Sequence, residues 1–166
     1  MAMSLKITGL DEFELKLDKL ERGCTGIAKL CLYEGAKVVA DNLRAAVGSI
    51  PTEAHHAVPT ARNGYLLSGM TPEEKAACLG AIGVAKFDGA TDNFTTAIGF
   101  DGYQTTATSD RHPHGIPVPM LMRSIESGSS VRMKNPVCRK AFKGSESAAL
   151  AAMQAKFDEL INKNMK

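Results

Sequence analysis

The residues of this 166-residue sequence that could do chemistry lie in one short run, Ser109-Asp110-Arg111-His112-Pro113-His114. A histidine of this run could act as a general base with Asp110 orienting it, and Ser109 offers a hydroxyl nucleophile. Neighbouring residues diverge in direction, however, and the sequence contains neither a G-x-S-x-G elbow nor an oxyanion loop. A small hydrolase using His112, His114 and Asp110 therefore remains only an alternative, and we expect a protein that is not an enzyme.

The cysteines and histidines do not have the spacing of metal ligands. No C-x-x-C pair is present, and no cysteine lies within ligand spacing of His55, His56, His112 or His114. Gly80-x-x-Gly83 also lacks the Lys-Ser/Thr that completes a phosphate-binding loop. We expect no metal, no cofactor, and reduced, mostly buried thiols. The four cysteines are Cys24, Cys31, Cys78 and Cys138.

Composition places the chain among ordinary folded, soluble domains. Hydrophobic residues make up 44% and charged residues 23%, which excludes a disordered tail and a membrane protein. The apolar fraction contains no Trp but 8 Met, and the chain has 15 Gly and 7 Pro, a mixture typical of adaptable packing surfaces joined by long loops. No secretory signal is visible at the N-terminus, so we expect synthesis and residence in cytosol-like conditions.

The charges are unevenly distributed although the formal net charge is only +2. Residues 1–50 are neutral, residues 51–101 carry 3 basic and 6 acidic residues, and residues 102–166 carry 10 basic and 5 acidic residues. Copies of such a chain could stack head to tail, because opposite potentials orient their encounter. Two differently solvated faces would give the same pattern.

Most of the excess positive charge lies in residues 123–143. No interleaved aromatic residues offer a stacking platform for single strands, and no recognition-helix motif is present. The favoured interpretation is a contact between subunits, with the acidic middle segment as partner; the alternative is non-specific, salt-dependent DNA binding. With two residues of the 102–119 loop, the candidate subunit or DNA-channel contacts are Arg111, His112, Arg123, Arg132, Lys134, Arg139, Lys140 and Lys143.

Hydrophobic spacing predicts two N-terminal helices. The first runs from Leu10 and ends near Gly23, and the second runs from about Thr25 to Val47. A short edge strand is predicted at residues 4–8. Residues 49–70 then form a long loop, followed by a short helix that Thr71 caps.

The second half of the chain mixes strands and helices. Strands are predicted at residues 82–87 and 94–100, a second long loop at 102–119, a short helix at 120–126 and an extended segment at 129–133. Asn135-Pro136 starts a short helix that Gly144 ends, and Ser145 caps a final helix. The expected fold is a single α+β domain over residues 1–166, with helices packed on a small, mainly antiparallel sheet.

The order of several short motifs resembles the phage tail-component family named after gene product ten of phage HK-97. In the N-terminal half the resemblance rests on residues 7–13, leading into Leu17 and Leu20, and on residues 34–41. In the C-terminal half it rests on residues 97–103, 123–130 and Asn135-Pro136 before an Ala-rich helix. Family members usually carry Pro-x-x-Thr-Gly-x-Leu after the second helix, where this chain has Pro51 and a longer stretch. Val137 stands where they commonly have Phe.

The resemblance implies a structural virion protein of a long-tailed bacteriophage or prophage, in the neck or at the head-proximal end of the tail. Such proteins assemble in the host bacterial cytoplasm as rings, commonly hexamers, around the DNA channel. Their partners would be the tail tube protein, the head connector or stopper protein, and DNA that passes without sequence specificity. The resemblance carries over no catalytic residue.

Overall fold

The computed structural model describes residues 10–53, 66–86, 95–105, 108 and 110–165, and side chains within residues 23–163. Its helices are α1 (Leu10–Gly48), α2 (Pro72–Gly80), α3 (Val118–Ser127) and α4 (Val137–Met165). Its strands are β1 (Ile82–Val84), β2 (Ile98–Phe100), β3 (Tyr103–Gln104) and β4 (Ile116–Pro117). The strands form two antiparallel pairs, β1 with β2 and β3 with β4. The chain therefore has an α+β fold, as its sequence predicts.

The N-terminal helical region is a single helix, so the predicted break near Gly23 is wrong. α1 continues through Gly23 and Gly26 to Gly48 without interruption. An internal glycine costs a helix about 1 kcal/mol relative to alanine. The contact of α1 with α4 follows Gly23 directly and buries Ile27 and Cys31. We attribute the continuity of α1 to this contact, which offsets the glycine cost.

The C-terminal region is also one helix rather than two. Gly144 lies within α4, and Ser145 is fully buried in the interior of this helix rather than capping a new one. The Ser145 hydroxyl donates to the carbonyl of Phe142 at 2.9 Å, which satisfies it inside the helix. The predicted stop at Gly144 and the predicted cap at Ser145 are both wrong, because α4 stays helical along its contact with α1.

α1 and α4 pack against each other in antiparallel orientation. Gly35 of α1 lies against Met153 and the Ala149 carbonyl, so closely that a Cβ on Gly35 would stand 2.6 Å from the Met153 sulfur. At the C-terminal end of α1, Leu43 and Val47 join the core cluster together with Cys138 of α4. Side chains of α2, α3 and the strand β1 complete that core, which lies at this end of the helix pair.

The α2 region matches its sequence signature. The Glu74 N–H donates to the Thr71 hydroxyl at 3.2 Å, and the Thr71 N–H donates to the Glu74 carboxylate at 3.1 Å. This reciprocal capping box starts α2 at Pro72, as the Thr-Pro-Glu-Glu sequence predicts.

After α2 in the chain, β1 pairs with β2 in a register that places Gly83 opposite Gly99. This pairing confirms the predicted strand pair, although both strands are shorter than predicted.

The predicted loop at 102–119 contains the hairpin of β3 and β4 and the start of α3. Gly102 directly precedes β3 and Gly115 directly precedes β4, with φ of 89° and 94°, conformations that favour glycine. α3 begins at Val118, two residues before its predicted start, and ends at Ser127. Gly128, which follows it, has a φ of 79°. Two strands of two residues each carry too little periodicity to be recognised in sequence.

Several predictions concern segments that the structure describes only in part. The ends of the 49–70 loop approach each other, because the Met70 N–H donates to the Pro51 carbonyl at 3.0 Å. Residues 54–65 between these ends lie outside the described residues, as does the predicted edge strand at 4–8. The predicted extended segment at 129–133 makes an isolated parallel bridge, Leu67 with Arg132, and is not a strand of a described sheet.

Candidate functional site

The histidine run lies in the connection between β3 and β4. Asp110, Arg111 and His114 are exposed and His112 is half-buried. The Gly115 N–H donates to the His112 carbonyl at 3.1 Å, which closes the turn before β4. Ser109 lies outside the described residues. Within the described ranges, no group of three or more His, Cys, Asp or Glu is arranged to hold a metal ion.

Five of the basic candidates form what we call the basic surface. All five are exposed, and they lie on α3, on the connection that follows it, and on the first two turns of α4. The members of the basic surface are Arg123, Lys134, Arg139, Lys140 and Lys143. An open cleft of about 480 Å³ lies between α3 and α4 here, with Arg123 and Arg139 in its lining.

Glu126, the one acid within the basic segment, holds the start of α4. Its carboxylate accepts from the N–H groups of Cys138 at 2.9 Å and Arg139 at 3.0 Å, while the Arg139 guanidinium lies 3.5 Å away. The carboxylate thus satisfies two of the unpaired donors at the N-terminus of a 29-residue helix and complements its dipole. Glu126 fixes the orientation of α4 against α3 and thereby the position of Arg139.

Arg132 is not part of this surface, so its prediction as an external contact is wrong. Only 7% of the residue is exposed. Its guanidinium donates to the Glu74 carboxylate at 2.6 Å and to the Gly69 carbonyl at 2.7 Å. A buried guanidinium needs such partners, because an unpaired charge in the interior is strongly destabilising. Arg132 belongs to the basic end and Glu74 to the acidic middle, so these two segments meet here within one chain.

The Arg132–Glu74 pair anchors a polar network at the base of the 54–65 segment. The Glu53 carboxylate accepts from both the N–H and the hydroxyl of Ser68, and these hydrogen bonds lower the pKa of Glu53. The Lys75 ammonium donates to the Ile50 carbonyl at 2.8 Å. The network holds the two ends of the long loop together and ties both to residue 132. The capping motif can be recognised in the sequence, whereas an ion pair between residues 58 positions apart produces no local sequence signal.

The bridge between Leu67 and Arg132 exposes an apolar surface on its outer side. The Leu67 N–H donates to the Val131 carbonyl and the Met133 N–H donates to the Leu67 carbonyl, both at 2.9 Å. Because side chains alternate along extended chains, Leu67 and Arg132 point inward and their neighbours point outward. Leu66, Val131 and Met133 are accordingly exposed, and Lys134 follows directly. We call these three residues the apolar patch.

A second apolar surface lies between α1 and α4, away from the core. This groove of about 480 Å³ has Cys24, Ile27 and Cys31 on its α1 side. Leu150 and Phe157 belong to its α4 side and are 60% and 45% exposed. On α4, Ala149 is buried whereas Phe157, eight residues further on, is left on the surface.

The cysteines are free thiols, and most of them are buried as their residue type predicts. Cys31, Cys78 and Cys138 are buried and Cys24 is exposed. Burial raises the pKa of Cys78 and of Cys138 to about 12, which keeps both thiols protonated and unreactive at neutral pH.

Comparisons with protein-family models, with curated proteins and with solved structures return no match. None of the helices in the described part of the chain is both long and apolar enough to cross a membrane.

Proposed function

We propose that the chain is a structural virion protein of a long-tailed bacteriophage or prophage. It would form a ring at the neck or at the head-proximal end of the tail, as a tail completion protein or a head–tail connector. The ring would surround the DNA channel and contact the tail tube protein on one side and the head connector on the other. Its place is the virion, and its role is assembly rather than catalysis.

The observation that carries the proposal is the apolar patch of Leu66, Val131 and Met133, which is contiguous, exposed and followed directly by Lys134 of the basic surface. Exposed apolar side chains bordered by polar ones are typical of protein–protein contact sites. The patch is also held rigidly, because the Arg132–Glu74 pair and the Leu67 bridge fix the backbone beneath it. A prepared surface of this kind loses little conformational entropy when a neighbouring subunit binds.

The segments that carry the resemblance support the proposal by their positions. Residues 97–103 form β2, the Gly102 turn and the start of β3, while residues 123–130 complete α3 and the Gly128 turn. Asn135-Pro136 directly precedes α4, and residues 34–41 form the part of α1 around Gly35 that lies against α4. These motifs specify turns and helix contacts, as we expect for a protein whose role is structural.

The charge pattern suggests how subunits would join. A ring needs heterologous contacts, in which one surface of a subunit meets a different surface of the next. The apolar patch with Lys134 would form one of these surfaces. Glu73 and Asp101, exposed acids of residues 51–101, are candidates for the other.

A second candidate function, non-specific DNA binding, is favoured by the exposure of the basic surface. Arg139, Lys140 and Lys143 lie on the first two turns of α4 and present three positive charges to solvent. Duplex binding measured against salt tests it, since the salt slope falls by about 1 for every phosphate-binding side chain that is removed. The triple alanine variant at these positions should bind DNA with a smaller slope, and unchanged binding would remove this candidate.

The test of the proposed role is genetic and microscopic. Deletion of the gene from a phage or prophage that carries it should leave heads and tails that fail to join, or tails of abnormal length. The double substitution Val131→Asp and Met133→Asp should reproduce this defect, because it places charge on the apolar patch. Leu30→Asp, which changes an exposed residue of α1, serves as the control. Normal particles from the deletion would overturn the proposal.

A further inference from the structure

The strand β3 and the first turn of α3 carry a further set of exposed apolar side chains. Tyr103 of β3 is 58% exposed and Met120 of α3 is 51% exposed. Tyr103 pairs with Pro117, which directly precedes α3, and Met120 follows Pro117 by three residues, so both belong to the same end of α3. Asp101 lies two residues before Tyr103 and is also exposed. We call Asp101, Tyr103 and Met120 the hairpin surface.

The hairpin surface and the apolar patch lie at opposite ends of α3. At the N-terminal end, the Val118 N–H donates to the Gly102 carbonyl at 3.0 Å. At the C-terminal end, the Asn135 N–H donates to the Ile125 carbonyl at 2.8 Å, which places residues 131–134 there. Ten residues of helix separate the two ends by about 15 Å. The two surfaces therefore cannot cover each other within one chain.

The two surfaces have the composition of contact sites between proteins. Tyrosine and methionine are enriched at such sites, and the hairpin surface has one of each. The apolar patch has a methionine as well, and the side chains of Met120 and Met133 can adapt to an irregular partner. Burying the two surfaces against each other would remove both apolar areas from water in a single contact.

The charges at the edges of the two surfaces are opposite. Asp101 belongs to the hairpin surface and to the acid-rich residues 51–101, whereas Lys134 directly follows the apolar patch and belongs to the basic residues 102–166. Arg123, one turn beyond Met120, lines the cleft between α3 and α4. Opposite charges at the edges orient two partners and disfavour the contact of like surfaces. The complement of each surface is thus present on a second copy of the same chain.

We propose that the hairpin surface of one copy docks on the apolar patch of the next copy, with Asp101 beside Lys134. The contact is heterologous, because two different surfaces meet, and each copy keeps one surface free for a further copy. Repetition gives a ring where the rotation between copies closes. The inference rests on the proposed function, in which copies join through heterologous contacts, and it names the surface that meets the apolar patch.

Disulfide trapping between two different variants tests the contact. Tyr103→Cys and Met133→Cys are prepared as separate purified chains, each in a Cys24→Ser background that removes an exposed thiol. Mild oxidation of the mixture should give a cross-linked dimer on a non-reducing gel, whereas either variant alone should give several-fold less. Both substitutions in one chain should give a ladder of higher oligomers, because each copy is then linked at both surfaces.

Two controls show whether the cross-link reports this contact. Leu30→Cys, at an exposed position of α1, should not cross-link with Met133→Cys. Lys134→Glu on the Met133→Cys chain should lower the yield with Tyr103→Cys several-fold, because it places two acids together. Lys163→Glu, an exposed position near the end of α4, should leave the yield unchanged. Circular dichroism should show the same helix content in all variants.

The cross-link is measured without phage particles, so its outcome is separate from that of the gene deletion. A mixture that yields no more dimer than either variant alone would overturn the proposed contact, as would a yield that Lys134→Glu leaves unchanged. Absence of the cross-link, together with heads and tails that fail to join in the deletion, would remove this contact and leave the proposed function standing. A cross-link together with normal particles would do the reverse.

Discussion

The Arg132 guanidinium donates to the buried carboxylate of Glu74 at 2.6 Å and joins two segments of opposite charge within one chain. Glu74 also caps α2 by accepting from the Thr71 N–H, and Arg132 also donates to the Gly69 carbonyl. The pair therefore holds the start of α2, the end of the 49–70 loop and the connection between α3 and α4 together. It also supports the apolar patch, since Val131 and Met133 flank Arg132 in the sequence.

Arg132→Met should lower the free energy of unfolding by about 3–5 kcal/mol, because it leaves the Glu74 carboxylate buried without its counter-charge. Lys134→Met, at an exposed position two residues away, should change it by at most about 0.5 kcal/mol. Urea denaturation of both variants measures the difference. Adding Glu74→Gln to Arg132→Met should recover part of the stability, and an Arg132→Met variant as stable as wild type would contradict the structural role of the pair.

Glu126→Ala should destabilise the chain by about 1 kcal/mol, because two N–H groups at the start of α4 then lose their acceptor. Glu146→Ala provides the comparison, as it removes an exposed acid farther along the same helix. Thermal unfolding followed by circular dichroism should show a lower midpoint for the first variant and little change for the second. Equal midpoints would mean that Glu126 does not hold α4.

The two glycines that directly precede β3 and β4 should differ in their tolerance of alanine. Both have positive φ, but a Cβ on Gly102 meets open space whereas one on Gly115 would collide with the Gln104 carbonyl. Gly102→Ala should cost about 1–2 kcal/mol from backbone strain alone. Gly115→Ala should cost more, as measured by denaturant midpoints. The reverse order would argue against the hairpin.

Alkaline pH should weaken the fold through its buried thiols. Burial raises the pKa of Cys78 and Cys138 from 9.0 to about 12, so the folded chain retains these protons more tightly than the unfolded chain. The stabilisation is fully present below pH 9.0 and is lost as the pH rises through about 12. Denaturation at a series of pH values should show this decline, with a shallower slope in Cys78→Ala. An identical slope in that variant would contradict the assignment.

The fold was predictable from sequence where local signals act alone. Thr71-Pro72-Glu73-Glu74 contains a complete capping box and started α2 at the correct residue. Gly23 and Gly144 were wrongly predicted to end helices, because the contact between α1 and α4 keeps both helices continuous past these residues. The two helices are far apart in the sequence, so no local pattern reveals their contact. The partner of Arg132 is also distant in the sequence, and a buried structural arginine therefore cannot be distinguished from the exposed lysines near it by sequence alone.

The most direct test of the central claim is electron microscopy of virions from a phage or prophage whose copy of this protein carries a small affinity tag. Gold-labelled antibody should mark one site per particle, at the junction of head and tail. Label along the whole tail, on the head alone, or absent from particles that contain the other tail proteins would contradict the proposed role.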